Sequence, residues 1–399
     1  MELTLLGTGA PLGLPRPECP CAVCATSRGP RARAATALLV DGALLLDLTP
    51  GAALAAARSG HSLVGVRQVL LTHPHDGPAV EVPAGLPAAG RVPDGRELTL
   101  ISGHRVRAVP MDSPGTGYEV TSLDGERLLY LPPGGAAAGL PDDHRPPYDM
   151  VVGDVTGRPD ALARLRATGA VGPSTDVIAV HLDHDVPNGP ELDRRLAAAG
   201  ARAVPDGTTL YVGEYHAVPD VPRRTLVTGG ARSGKSVEAE RRLESFPEVL
   251  YVATGGTREG DPEWAQRVSL HRDRRPGSWR TAETCDLVPF LETEGPALLI
   301  DCLSLWLTDA MDRAGAWDDE RWAHGGQEEL RGRTAELLAA VRATSRTVVA
   351  VTNEAGSGVV PATASGRRFR DELGRLNAAF GDECEQVVLV VAGQALVLR

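Results

Sequence analysis

The sequence predicts two α/β domains in one chain, and three observations carry that prediction. Residues 225–399 alternate short apolar runs with helical patterns, which predicts a mostly parallel sheet with helices on both faces. Residues 1–212 read mostly as strand, with some helix. The composition also changes along the chain: all five Trp and all four Phe lie at or beyond Phe246, whereas eight of the ten His lie before residue 217. A chain of 399 residues is long enough for two cores. The linker is predicted at 213–224, GEYHAVPDVPRR, where two prolines precede a new strand signal. The domains are then 1–212 and 225–399.

In chain order, ALLVDGALLLD (37–47) predicts a hairpin turning at Asp41-Gly42, and TSLDGERLLYL (121–131) a second at Asp124-Gly125. In the second half TLVT (225–228), VLYVA (249–253), ALLID (297–301), TVVAVT (347–352) and QVVLVV (386–391) predict strands. Helical periodicity covers 327–343 and 369–380.

Charge and composition exclude several classes. The formal net charge is −11, which argues against nucleic-acid binding on a basic surface. The opening MELTLLGTGA has neither a basic n-region nor a long apolar run, and no stretch approaches the ~20 apolar residues of a membrane span. A soluble, cytoplasmic protein is expected. Six cysteines are few for a disulfide scaffold.

The most informative stretch is TGGARSGKS (228–236), at the first strand-to-helix turn of the second half. It holds the chain's one lysine, Lys235; the other 40 of its 41 basic Lys and Arg residues are arginine. Gly229, Gly234, Lys235 and Ser236 fit G-x-x-x-x-G-K-[ST], a phosphate-binding loop. The backbone of Gly229, Gly230, Ala231, Arg232, Ser233 and Gly234 would wrap a phosphate, and the helix N-terminus adds partial positive charge. Lys235 would reach the β/γ-phosphates as a compact ammonium, which a planar guanidinium cannot replace in a tight loop. The Ser236 hydroxyl suits Mg²⁺, with the Asp301 carboxylate at the tip of ALLID as an outer partner of the ion. His271 stands among Arg267, Arg272, Arg274, Arg275 and Arg280, a cluster that suits polyphosphate or a solvated charged face.

Four ordered blocks of the second half resemble the bifunctional adenosylcobinamide kinase/adenosylcobinamide-phosphate guanylyltransferase family. They are LVTGGARSGKS (226–236), LYVAT with LHRDRRPGSWRTAE (250–283), LLIDCLSLWLTD (298–309), and VTNEAGSGVVPATASGRRFRDELGRLNAAF with VVLVVAGQALVL (351–398). The resemblance implies a P-loop, RecA-like fold, ATP and GTP with Mg²⁺, adenosylcobinamide as acceptor, and a homotrimer. It implies that His271 carries GMP covalently, although Leu270 stands where close members often have another histidine. It also places Thr254, Arg272, Asp273, Arg274, Arg275, Glu283 and Asp301 in the nucleotide pocket. Two narrower readings of this half are a generic P-loop small-molecule kinase and a nucleotide-sensing regulator.

In the first half LTLLGTGAPLGLP, CPCAVC and VLLTHPHD resemble the metallo-β-lactamase fold, nearest its phosphodiesterase-like branch, which implies an αββα domain. The metal motif is incomplete. His73, His75, Asp76 and His184 are the ligands to credit, and Asp112 and Pro132-Pro133 stand where others belong. A single catalytic metal in a phosphodiesterase and a degenerate structural or substrate-handling domain are the alternatives. Cys19, Cys21 and Cys24 have thiolate spacing for structural Zn²⁺, with His216 weighed as the fourth ligand; three loop cysteines without metal is the other reading.

Overall fold

The structure, a computed structural model, describes residues 1–73, 82–140, 145–214, 216–217, 221–256 and 275–399. Contacts divide the chain into two units, Met1–Val221 and Pro222–Arg399.

The first unit contains β1 (Glu2–Gly7), β2 (Ala37–Val40), β3 (Leu44–Leu46), β4 (Gln68–Leu70), β5 (Ala89–Gly90), β6 (Glu97–Thr99), β7 (Arg105–Pro110), β8 (Thr116–Thr121), β9 (Arg127–Tyr130), β10 (Met150–Gly153), β11 (Asp176–Ala179) and β12 (Thr208–Tyr211). They form two six-stranded sheets, ordered β12-β1-β2-β3-β4-β5 and β11-β10-β9-β8-β7-β6. Alternate residues face opposite ways along a strand, and here both faces are apolar. Leu3, Leu38, Leu44, Val120, Leu128 and Ile178 fill the space between the sheets. Leu39, Leu45 and Val69 face outward onto helix Ala52–Arg58. Leu129, Val151 and Val177 face outward onto helices Pro159–Ala167 and Pro190–Ala198. This helix–sheet–sheet–helix order is the αββα architecture that the metallo-β-lactamase resemblance implies. Both expected hairpins form. Asp41 and Gly42 take φ of 43° and 62°, the left-handed pair of a turn that the Ala43 N–H closes on Val40 O at 2.9 Å.

The second unit contains β13 (Arg224–Gly229), β14 (Val249–Ala253), β15 (Arg280–Glu283), β16 (Ala297–Asp301), β17 (Val348–Asn353), β18 (Gln386–Val391) and β19 (Gln394–Val397) in one sheet ordered β15-β14-β16-β17-β13-β18-β19. All neighbours are parallel except β18 and β19. One face, through Leu226, Leu298, Ile300 and Ala350, packs on helices Leu303–Arg313, Gln327–Ala343 and Ala364–Asp382. The other, through Val227, Leu299, Val349 and Val388, packs on helix Lys235–Leu243. Phe380 is fully buried at the centre of the first layer, where truncation to alanine costs about 3–5 kcal/mol.

The five expected strands and both helical stretches are present. Helix Ala364–Asp382 begins earlier than its periodicity predicts because the Thr363 hydroxyl caps the Gly366 N–H at 3.1 Å. Two strands go beyond the sequence reading. β15 is the polar run RTAE, and β19 folds back from β18 through Ala392 and Gly393, both at positive φ. The turn of that hairpin leans on the phosphate loop, with the Gly393 N–H donating to Ser233 O at 2.9 Å.

Candidate functional site

Parallel strands put their C-terminal ends on one edge of the sheet, where helix N-termini also gather. β13 ends at Gly229, and helix Lys235–Leu243 starts five residues after Gly230. The intervening loop is held open by backbone that few residues tolerate. Gly234 caps the helix at φ 98°, and Arg232 sits at φ 58°. At Gly229 a Cβ would lie 2.5 Å from Val390 O and 2.6 Å from Ser233 Oγ, so only glycine fits. Gly230 and Ala231 complete the turn, and Ser236 lies in the first helical turn. The Lys235 ammonium curls back and donates to Gly230 O at 3.2 Å, over the loop that phosphates would fill.

β17 separates β13 from β16, with Gly229 opposite Asn353 and Asp301 opposite Val351. Asp301 therefore stands on the same edge as the phosphate loop. Its carboxylate Oδ2 accepts the Tyr251 hydroxyl at 2.8 Å. Burial first, and the Asp301 charge next, push the Tyr251 phenol well above its usual pKa, so it remains a donor. Thr254 is buried, and its hydroxyl is spent on the backbone of Cys302, donating to O at 2.7 Å and accepting from N at 2.8 Å. Its N–H donates to Asp301 O at 3.1 Å. Thr254 thus clasps the strand end that carries Asp301. Glu283 is exposed at the end of β15, in register with Ala253. Arg275 lies across Tyr251, its guanidinium carbon 3.4 Å from the ring centroid. His75, Asp76, His271, Arg272, Asp273 and Arg274 lie outside the described residues.

Sequence reasoning passed over Tyr251, Ser304 and Asn353. The Asn353 amide donates to Ser304 Oγ at 2.8 Å, which ties the end of β17 to the helix after Asp301. The signal available was Tyr251 within the otherwise apolar run VLYVA and the polar Thr352-Asn353 pair that closes TVVAVTN.

In the first unit the three thiols converge on His184. Its Nδ1 lies 3.1, 3.7 and 3.5 Å from Cys19, Cys21 and Cys24 Sγ. All four ligand atoms fall within 4.8 Å of one another. A tetrahedral zinc with bonds of about 2.3 Å to sulfur and 2.0 Å to nitrogen separates S from N by roughly 3.6 Å, so the set fits the ion. The fourth member corrects two expectations: it is His184 and not His216, and His184 stands with the thiols and not with His73. Chain geometry explains it. Asp183 pairs with Arg16 through both carboxylate oxygens and accepts the His184 N–H at 2.7 Å, which aims the imidazole at the cysteine loop. The Cys24 N–H on its sulfur, ahead of the opposing cost of burial, lowers the Cys21 thiol to about 7.

His73 belongs to a different, closed nest. Buried Asp47 accepts Thr72 N at 2.8 Å, the Thr72 hydroxyl at 2.7 Å and the Tyr130 hydroxyl at 2.7 Å. Thr72 spends its proton on Asp47, and its oxygen lies 2.9 Å from His73 Nδ1, which can donate to it. His181, which the sequence reading omitted, is buried beside the Tyr130 ring, and burial lowers it to about 4. Asp112 is clamped by Arg158 and Arg164, at 2.9 and 2.8 Å to Oδ2, and by the Ala136 N–H at 3.0 Å to Oδ1.

A phosphate loop with its lysine, a strand-end carboxylate on the same edge and Arg275 on the neighbouring Tyr251 define a nucleotide-dependent transferase of the P-loop class. The family described as cobinamide kinase / cobinamide phosphate guanyltransferase matches residues 225–398. The bifunctional adenosylcobalamin biosynthesis protein CobU of Salmonella typhimurium is 39% identical over 185 residues, covering 44% of this chain and 98% of that protein. CobP of Pseudomonas aeruginosa, with the same description, is 41% identical over 181 residues, 44% of this chain and 97% of that protein. Through this half the chain belongs to the cobinamide kinase / cobinamide phosphate guanyltransferase family. Among solved structures, a diphosphatase from the PhnP family aligns with 55% of this chain and 99% of its own at 20% identity, TM-score 0.40. Zn(2+)-bound PqqB from Methylobacterium extorquens aligns with 53% of this chain and 100% of its own at 17% identity, TM-score 0.39.

Proposed function

We propose that the second unit phosphorylates adenosylcobinamide and then guanylylates the product, using one nucleotide site for both steps. The observation that supports this most is Lys235 and Asp301 on one sheet edge, within a stretch matched along its whole length by the family. In the first step the acceptor hydroxyl oxygen attacks the γ-phosphorus of ATP or GTP. The bond to the bridging β–γ oxygen breaks, and the hydroxyl proton leaves to solvent. The loop N–H groups and the Lys235 ammonium stabilise charge on the transferring group. The Ser236 hydroxyl and Asp301 carboxylate are oxygen donors suited to Mg²⁺ and would hold it beside the phosphates. When bound, that ion neutralises charge across the β- and γ-phosphates.

In the second step a neutral His271 nitrogen attacks the α-phosphorus of GTP and pyrophosphate leaves. A phosphate oxygen of adenosylcobinamide phosphate then attacks the same phosphorus. The N–P bond breaks, which gives adenosylcobinamide-GDP and restores the histidine. Arg272, Arg274 and Arg275 would hold phosphates and keep the imidazole neutral by like charge. A homotrimer is the assembly that the family resemblance favours.

For the first unit we propose a structural zinc on Cys19, Cys21, Cys24 and His184, in a domain without its own hydrolase activity. Asp112 is already saturated by two arginines, which supports the second part. Among the described residues no helix is long and apolar enough to cross a membrane.

The deciding experiment supplies GTP labelled on the α- or the γ-phosphate with Mg²⁺. Acid-labile label on the protein from α but not from γ, and lost in His271→Ala, is expected. GTP binding without any adduct would demote the chain to a P-loop kinase or nucleotide sensor.

A further inference from the structure

The loop after β17 leaves the sheet at the phosphate loop itself. Asn353 lies opposite Gly229, and the Glu354 N–H donates to Gly229 O at 3.0 Å. From there residues 354–363 lead to helix Ala364–Asp382, and the loop is fastened along its length. The Gly356 N–H donates to Glu354 Oε1 at 2.9 Å, and the Gly358 N–H to Ala355 O at 3.3 Å. From the helix, Arg370 donates to Gly356 O, and Arg367 to Pro361 O and Ala362 O at 3.1 and 2.7 Å. Yet the tip turns two aliphatic side chains outward. Val359 is 94% and Val360 60% exposed, and Val359 is the most exposed large apolar side chain described in the second unit. Among the described residues nothing bonds the peptide groups of either valine. Pro361 biases Val360 toward extended backbone, and both valines are stiff at χ1, so the tip has a set shape.

We propose that the Val359–Val360 tip is a docking surface for the corrin ring of the acceptor, adenosylcobinamide. The acceptor reacts through a hydroxyl at the end of one side arm, so its ring must rest outside the phosphate loop but on the same edge. Five residues carry Val359 at most about 18 Å from Glu354, which keeps the tip beside the transferring phosphate. The rim of a corrin carries methyl groups, which the valines can cover, and carboxamides, which the open peptide groups can bond. A tip of set shape has little freedom to lose on binding. A second copy of the chain fits less well, because a stable protein interface uses roughly 20–30 residues a side and the tip offers two. The inference rests on the reading of the second unit as an adenosylcobinamide kinase.

The full-length protein is compared with Val359→Ala, Val360→Ala, Val359→Asp and Val360→Asp. The control is Val64→Asp, at an 83% exposed valine of the first unit. Equilibrium dialysis gives Kd for adenosylcobinamide and for GTP, and phosphoryl transfer gives KM and kcat. Each alanine variant is expected to raise the adenosylcobinamide Kd and KM roughly tenfold, as for two methyl groups no longer covered, and the aspartate variants further. GTP affinity and kcat should stay at wild-type values, and the control should change nothing. A wild-type corrinoid Kd in all four tip variants overturns the proposal. So does an equal loss of GTP affinity, which would make the tip a prop of the phosphate loop. An aspartate variant that alters sedimentation but not the corrinoid Kd would assign the tip to a second copy, and overturns it too. A wild type that neither binds nor phosphorylates adenosylcobinamide would sink the functional reading itself, and the proposal with it.

Discussion

Asp301 and Asp112 face the same chemical problem and are treated in opposite ways. Each is a carboxylate close to the end of a strand with arginine nearby, Asp112 exposed and Asp301 half-buried. Asp112 is held by two guanidiniums and a backbone N–H, so its charge is consumed. Asp301 meets a phenol, and the nearby arginine is laid on the ring of that phenol. The difference separates a carboxylate spent on arginines of its own unit from one that we propose as a partner for the cation of a nucleotide.

The sharpest break between the units would come from Lys235→Ala. Losing a preorganised donor at the transferring phosphate is expected to lower kcat/KM for phosphoryl transfer by roughly 10²–10³, measured with ATP and adenosylcobinamide. An unchanged rate would remove the phosphate loop from the chemistry. In the first unit the corresponding lever is the thiol cluster. One equivalent of zinc is expected by elemental analysis. Stripping it should lower unfolding stability by about 4 kcal/mol relative to free zinc at a thousandfold excess over its Kd. A protein that holds no zinc under reducing conditions would leave the cysteines as loop thiols.

A smaller effect follows from His181. Its folded pKa is near 4, below the unfolded value of about 6.5, because burial disfavours the imidazolium. Between those values the unfolded chain binds more protons. Stability of the first unit is therefore full above about pH 6.5 and falls as pH drops toward 4, by roughly 3 kcal/mol. Urea melts across that range should show the slope, and His181→Asn should flatten it. The smallest effect is expected at Asp112. Burial pushes its carboxyl up, but the Arg158 hydrogen bond, the Ala136 N–H and the charges of Arg158 and Arg164 outweigh that and lower it. Its contribution is present above the unfolded carboxyl pKa and lost as pH falls through the lower folded one. Asp112→Asn should cost about 1 kcal/mol at pH 7, since the pair is partly exposed.

What the sequence disclosed was local. The phosphate loop is a pattern within nine residues, and the apolar strands and the cysteine triplet are equally short-range. What it hid was long-range pairing. HLDHD offers two histidines, and only the Arg16–Asp183 bond, between residues 167 apart, turns His184 to the thiols. His181 enters the other nest from the same five residues. Tyr251 reads as a core residue until Asp301, 50 residues later, is placed beside its hydroxyl. β15 escaped notice because RTAE has no apolar pattern and becomes a strand only by pairing with β14.

The hairpin of β18 and β19 sets an order of events. β13 comes first in the second unit, yet it is flanked by β17 and β18, and the loop that follows it is braced by Gly393. The phosphate loop is among the earliest parts of this unit to be synthesised and among the last to acquire its support. A growing chain that stops before residue 386 lacks one neighbour of β13 and the brace beneath Ser233. Such contacts between distant parts of a chain also slow folding. Support of the phosphate loop should thus await synthesis of residues 386–393, long after the loop itself has been made.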